Sequence, residues 1–158
     1  MPDDDAPPAP GFELTEHTAD LGVHAWGPRP EDVFAQAARG MLSLVCDPAT
    51  VTGRERYVVE VEAADESLLL AVWLNELLYL VEGRRLVFSG EFEIELRGQV
   101  AGGGRRSGVG PGRPSSAGGE PFDPARHALR AAVKAATLHR LSLCEVAGGW
   151  EGRVLLDV

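Results

Sequence analysis

Lysine occurs once in the chain, at Lys134, against fourteen arginines. Arginine serves here wherever a positive charge is enough. The single lysine, set among Ala and Val, is therefore a candidate for what arginine cannot do: present a compact charge on a flexible stem, with a proton affinity that burial can shift. The plainer alternative is a surface lysine whose stem lies along apolar neighbours. Asp157 follows Val154-Leu155-Leu156 and precedes the last residue, Val158. Its carboxylate and the terminal carboxylate lie within one residue of each other, a repulsion that a cation, a proton or solvent must relieve. A third acid such as Asp20 would complete an oxygen-rich pocket for a hard cation, Ca2+ or Mg2+. A frayed, hydrated terminus is the competing reading. His17 and Asp20 could serve as metal ligands or as an acid/base pair, although the run His17-Thr18-Ala19-Asp20 also suits a turn whose polar side chains satisfy backbone groups.

Other residue types offer less. His24, His127 and His139 have no ligand spacing. Cys46 and Cys144 form neither a CxxC pattern nor a disulfide framework. The scattered serines and histidines define no nucleophilic triad. Gly102-Gly103-Gly104 matches neither a P-loop nor GxGxxG in its strand and helix context. Trp26, Trp73 and Trp150 read as packing rather than a base-stacking platform, given the acidic charge.

The elements that must position these residues follow from periodicity. Phe12-Glu13-Leu14 and Val23-His24-Ala25-Trp26 alternate, predicting two short strands around the polar turn. Pro30-Glu31-Asp32 opens a helix with Val33, Phe34, Ala37, Met41, Leu44 and Val45 on one face, stopped by Asp47-Pro48. Residues 54–62 form a strand with Tyr57, Val59 and Val61 to one side. Asp65 caps a second helix running to about Glu82, with Gly83 after it. This helix is apolar almost all round and should be central and buried, with Asn75 and Glu76 sharing one narrow exit from the core. Residues 86–97 form a further strand whose acids face solvent. Residues 127–146 carry both a helical alanine signal and a strand-like alternation at 133–138. Residues 141–146 and 153–158 read as strands around Gly148-Gly149. The expectation is an α+β fold: a single two-layer domain of about six mostly antiparallel strands packed against two helices.

Two segments fall outside this pattern. Residues 1–11, with four prolines and three aspartates, predict a disordered acidic tail, so that structure starts at Phe12. Residues 98–126 hold nine glycines and four prolines, too biased for a packed element, and read as a flexible loop within one domain spanning 12–158. The whole chain, at 158 residues, suits one domain. A net charge of −9 disfavours direct binding of DNA or RNA and of anionic membranes. The acidic, Pro-rich N-terminus is no signal peptide. No apolar run reaches the ~20 residues of a membrane span, so the expected location is the cytoplasm.

Four segments together resemble the archease family. They are the stretch 12–22 containing His17-Thr18-Ala19-Asp20, the stretch 69–79 containing Trp73-Leu74-Asn75-Glu76-Leu77-Leu78, the stretch 133–139 opening Val133-Lys134-Ala135, and the ending 149–158 that closes on Leu156-Asp157-Val158. The resemblance covers nearly all of residues 12–158. It implies a small accessory protein, not itself an enzyme, that activates the RtcB-type GTP-dependent ligase of tRNA splicing. Activation would promote guanylylation of that ligase and its multiple turnover, and broaden which nucleotide it accepts. The tRNA would be met only through the ligase. The resemblance further implies a divalent cation, taken as Ca2+, held by Asp20, Asp157 and the main-chain oxygen of Val158. Lys134 and His17 would contact the partner or a phosphate. It favours strand over helix at 133–139. Residues 98–126 depart from the family pattern in being longer and richer in glycine. Two other function classes stand beside this one: a metal-dependent phosphoesterase using His17, Asp20, Lys134 and Asp157, and a chaperone-like binding module, which would need exposed apolar surface.

Overall fold

The computed structural model describes residues 9–17, 20–99, 105–107 and 115–158; of these, the side chains of His17, Asp20, 97–99 and 105–107 lie outside the description. In chain order the elements are β1 (Gly11–His17), β2 (Asp20–Gly27), α1 (Pro30–Val45), a 3-10 turn (Pro48–Thr50), β3 (Glu55–Val58), β4 (Val61–Ala63), α2 (Glu66–Arg84), β5 (Leu86–Glu93), β6 (Leu96–Gln99), β7 (Arg105–Ser107), β8 (Ser116–Pro121), β9 (Ala135–Ala136), β10 (Ser142–Val146) and β11 (Gly149–Asp157). The α+β class holds, with two helices and antiparallel pairing throughout. The described strands number eleven rather than about six, because the two long alternating runs at 54–62 and 86–97 each break into two and β7, β8 and β9 add to them.

The main sheet has the order β1-β2-β11-β10. β10 covers β11 from Gly149 to Arg153, and β9 takes over the same edge at Leu156 and Asp157. Val23, Ala25, Val154 and Leu156 face the core, where the helices cover them. Both helices come to rest on β11 at Gly152. A Cβ there would lie 2.7 Å from Val33 Cγ1 and 3.2 Å from Leu70 Cδ2, so only glycine admits this approach. The helices are joined by Trp73, which is fully buried and donates from Nε1 to the Phe34 carbonyl at 3.1 Å.

The helix ends follow sequence chemistry, with one exception. Pro30 occupies the first turn of α1, and the Asp32 carboxylate accepts from the Arg29 N–H. The Asp65 carboxylate accepts from the Leu68 N–H at 2.8 Å, the expected cap. The C-terminus of α2 was expected before Gly83. The helix instead runs through Gly83 and Arg84, and Arg85 takes the left-handed position (φ 56°, ψ 44°). The Arg85 carbonyl accepts from Phe122 N–H at 2.7 Å, so a tertiary contact fixes the position where glycine usually serves.

The other two sheets have the orders β3-β8-β5 and β4-β7-β6. The runs expected as single strands at 54–62 and 86–97 are each split between these sheets. The breaks meet at the buried Ser115: Val59 N–H donates to its carbonyl and Glu95 N–H to its hydroxyl, both at 2.9 Å. The expected flexible loop at 98–126 is therefore corrected for its described part, which includes β7, the central strand β8 and the turn at 123–126. Gly118 and Gly119 serve close packing: a Cβ on Gly119 would lie 2.3 Å from the Val87 carbonyl oxygen. The expected start at Phe12 also shifts, since Gly11 already pairs with Trp26, and Trp26 Nε1 donates to the Ala9 carbonyl. Residues 1–8, the rest of the expected tail, lie outside the described residues, as do 100–104 and 108–114.

β8 also carries a fully buried acid, Glu120. Arg126 donates to it, as do the N–H and hydroxyl of Thr52, and the Arg126 guanidinium with those bonds holds its pKa down to about 2 against the opposing effect of burial. The buried His127 accepts from the Asp123 N–H at Nδ1 and points Nε2 at Glu120, 3.5 Å away. A carboxyl whose folded pKa lies below its unfolded value of about 4.5 stabilises the fold above that value. That contribution is lost as pH falls through the interval from about 4.5 to about 2. Urea melts between pH 7 and pH 2.5 should show this loss, and Glu120→Gln should flatten the acid limb while costing about 2–3 kcal/mol at pH 7. An unchanged acid limb in the variant would exclude Glu120 as its source.

Candidate functional site

The candidate site lies at one end of the main sheet. β2 and β11 run antiparallel in a register that pairs Trp150 with Gly27 and Leu156 with Leu21. Continued by one residue, that register sets Asp157 level with Asp20. Across the β1–β2 hairpin His17 pairs with Asp20. Sheet geometry thus brings the backbone of Asp157, far away in sequence, to those of His17 and Asp20. Thr18, Ala19 and the side chains of His17 and Asp20 lie outside the described residues.

The other edge of β11 brings Lys134. Its N–H donates to the Asp157 carbonyl at 2.7 Å, and Thr137 N–H donates to the Leu155 carbonyl at 2.8 Å. The intervening residues Ala135 and Ala136 form β9. The first main-chain oxygen beyond this ladder is that of Val158. Asp157, Val158 and Lys134 are exposed, while Val154 and Leu156 enter the core. Asp157 is thus exposed at the end of a strand whose preceding residues Val154, Leu155 and Leu156 are all buried.

Strand is observed at Ala135–Ala136, against the helical alanine signal, although it is shorter than the 133–139 segment expected. The chain ahead of it has no helix either. Arg130 and Ala131 donate their N–H groups to the carbonyls of Val45 and Leu44, at 2.7 and 3.0 Å. These are orphan acceptors at the C-terminus of α1, and satisfying them holds residues 129–131 extended. Tertiary hydrogen bonding has overridden local propensity.

The surface beside Lys134 is a groove of about 530 Å3 lined by Asn75, Leu78, Tyr79, Glu82, Gly83 and Lys134. A neighbouring cleft of about 490 Å3 shares Leu78 and Glu82 and adds the wall 129–133. Tyr79 is 63% exposed and Leu129 is 56% exposed, so both present apolar surface along this side.

Among the described residues no group of three His, Cys, Asp or Glu side chains could hold a metal. The Asp20 carboxylate falls outside that set. His24 is not placed with these residues. Its ring lies between Glu13 and Glu151, at 2.9 and 3.0 Å, further along the sheet. Of the two cysteines, Cys46 is buried and Cys144 exposed, and both are free thiols. No helix among the described residues is long and apolar enough to cross a membrane.

One participant was missed from sequence as anything more than a polar exit from an apolar helix. The Asn75 side chain accepts from the Ala136 N–H at 2.8 Å and donates to the Ala136 carbonyl at 3.0 Å. A lone amide within Leu74, Leu77 and Leu78 was the available signal, but nothing in sequence identifies its partner.

Residues 12–158 match the family described as the Archease protein family (MTH1598/TM1083). Protein archease of Methanosarcina mazei is 34% identical over 147 residues, covering 93% of this chain and 95% of its relative. Protein archease of Methanopyrus kandleri is 34% identical over 148 residues, covering 93% and 99%. The solution structure of Methanobacterium thermoautotrophicum protein 1598 superposes with a TM-score of 0.75 at 30% identity, over 94% of this chain and 99% of that one. The match runs from the first paired strand through the outward-facing Asp157, and this chain belongs to the archease family.

Proposed function

We propose that this chain is an accessory activator of an RtcB-type, GTP-dependent RNA ligase. It would promote guanylylation and multiple turnover of that ligase and broaden its nucleotide use. The observation that carries the reading furthest is the register that sets Asp157 level with Asp20, with Lys134 bonded to the Asp157 main chain. Family membership supports it. In this reading Asp20 and Asp157 would hold a Ca2+ ion together with the main-chain oxygen of Val158. The donor chemistry fits: all are hard oxygen ligands, and the carbonyls of Leu155 and Asp157 are already taken by Thr137 and Lys134. When bound, the cation supplies positive charge suited to phosphate oxygens.

The chain's own residues do the rest. Lys134, exposed beside the Asp157 main chain, offsets the carboxylates or contacts a phosphate, and His17 lies across the hairpin from Asp20. The net charge of −9 speeds docking onto a basic, RNA-binding partner, an effect that fades with salt. The tRNA is met through the ligase alone, and the place of action is the cytoplasm.

The test mixes this protein, below stoichiometry, with an RtcB-type ligase, GTP, Mn2+ and excess broken RNA. Many ligations per ligase are expected with the protein present and about one without it. Equal counts in both arms would refute the proposal.

A further inference from the structure

We propose that Asn75 is the positioning residue of the Asp20–Asp157–Val158 site, holding β9 in place and, through it, Lys134 and the end of β11. The choice of site rests on the function proposed above; the hydrogen-bonded chain from helix to strand does not depend on it.

Strand β9 has two residues, against the usual five or six. One of its edges pairs with β11 at Leu156 and Asp157. A strand so short has little of its own to hold it, and its second edge faces α2. There the Asn75 amide takes the place of a neighbouring strand, meeting both the N–H and the carbonyl of Ala136. Only one orientation of the amide satisfies both bonds, so the contact fixes position as well as proximity. Ala136 is buried, so water cannot substitute without opening the packing.

The cost of this arrangement supports its role. Asparagine is a poorer helix former than the leucines around it, and a leucine at position 75 would bury more apolar surface. It would also leave two buried backbone groups of Ala136 unpaired. The bonds run on without interruption: Asn75 to Ala136, then Lys134 N–H to the Asp157 carbonyl and Thr137 N–H to the Leu155 carbonyl. Lys134 and Asn75 also line the same groove. Displacing β9 would therefore move Lys134 and release one side of the strand that presents Asp157.

The test compares the full chain with Asn75→Leu, and with Glu120→Gln as a control destabilised on a different sheet. Calorimetric titration with Ca2+ alone and amide hydrogen exchange are both measured. In Asn75→Leu, Ca2+ affinity should fall about 10–100-fold, the range for residues that orient metal ligands. The amides of Ala136 and Thr137 should exchange about tenfold faster than in the control, which keeps wild-type affinity. Wild-type affinity and exchange in a folded Asn75→Leu protein would overturn the proposal. If Asn75→Leu does not fold, Asn75→Ala carries the same comparison. Failure of the wild-type chain to bind Ca2+ would sink the metal reading separately. The exchange rates then decide alone, and equal rates at Ala136 and Thr137 in the variant and the control would overturn the positioning role.

Discussion

Replacing Asp157 with alanine is expected to reduce Ca2+ affinity by about 100-fold or more and to remove multiple-turnover stimulation of the ligase, with the fold intact. The side chain is exposed and lies at the end of β11, whose pairing with β2 and β9 uses only main-chain groups. Exposed substitutions of this kind cost within about 0.5 kcal/mol. A two-carboxylate oxygen site that loses one acid loses much of its attraction for a hard cation, and each factor of ten corresponds to about 1.4 kcal/mol. Added Ca2+ should raise the melting temperature of the wild-type chain by mass action and leave that of Asp157→Ala unmoved. If the folded variant stimulates turnover normally, the metal role of Asp157 is wrong, whatever becomes of the activator role.

The second large effect concerns stability. Trp73→Ala should destabilise the protein by about 3–5 kcal/mol, the range for a large aromatic removed from a core. Trp73 is fully buried, meets Phe92 edge-on with ring centroids 6.0 Å apart, and bonds the Phe34 carbonyl across the helix pair. Truncation would open a cavity between α1, α2 and Phe92 of β5. Against a typical total of about 5–15 kcal/mol, the variant should be close to unfolding at 37 °C. Urea titration reads this directly. A loss below about 1 kcal/mol would mean that the helices repack around the gap.

The elements with strong local signals were legible from sequence. Pro30 and Asp65 mark helix starts, and Gly148, with φ of 83°, lies in the turn between β10 and β11. The α2 helix buries Leu69, Leu70, Trp73, Leu74 and Leu77 as its apolar sequence implies, but it leaves a side open at Tyr79, Glu82 and Gly83, wider than the narrow exit expected at Asn75 and Glu76. What failed did so where tertiary partners decide. Gly118 and Gly119 suggested looseness, yet they let β8 lie between β3 and β5, and the acid that follows them is buried against Arg126. The alanines near 131–136 suggested a helix, yet the end of α1 and the edge of β11 claim that backbone. For the candidate site, family-like motifs singled out Asp20, Asp157, Val158 and Lys134, but no periodicity says which strands are neighbours. The register of β2 against β11 supplies that, and the ties from Asn75 to Ala136 could only be read in three dimensions.

The place of β11 in the main sheet has a kinetic consequence. It is the last strand in the chain, yet it lies between β2 and β10. Its partnership with β2 joins Trp150 to Gly27 and Leu156 to Leu21, closing a loop of well over a hundred residues. Such distant pairing places the chain among slow folders, with times of milliseconds to seconds, because the entropy of closing the loop precedes any return from the contacts. Until residues 149–157 arrive, β2 and both helices expose the apolar surface that β11 will cover. The nascent chain therefore passes through an aggregation-prone interval, and the edge on which Asp157 stands is completed only when that interval ends.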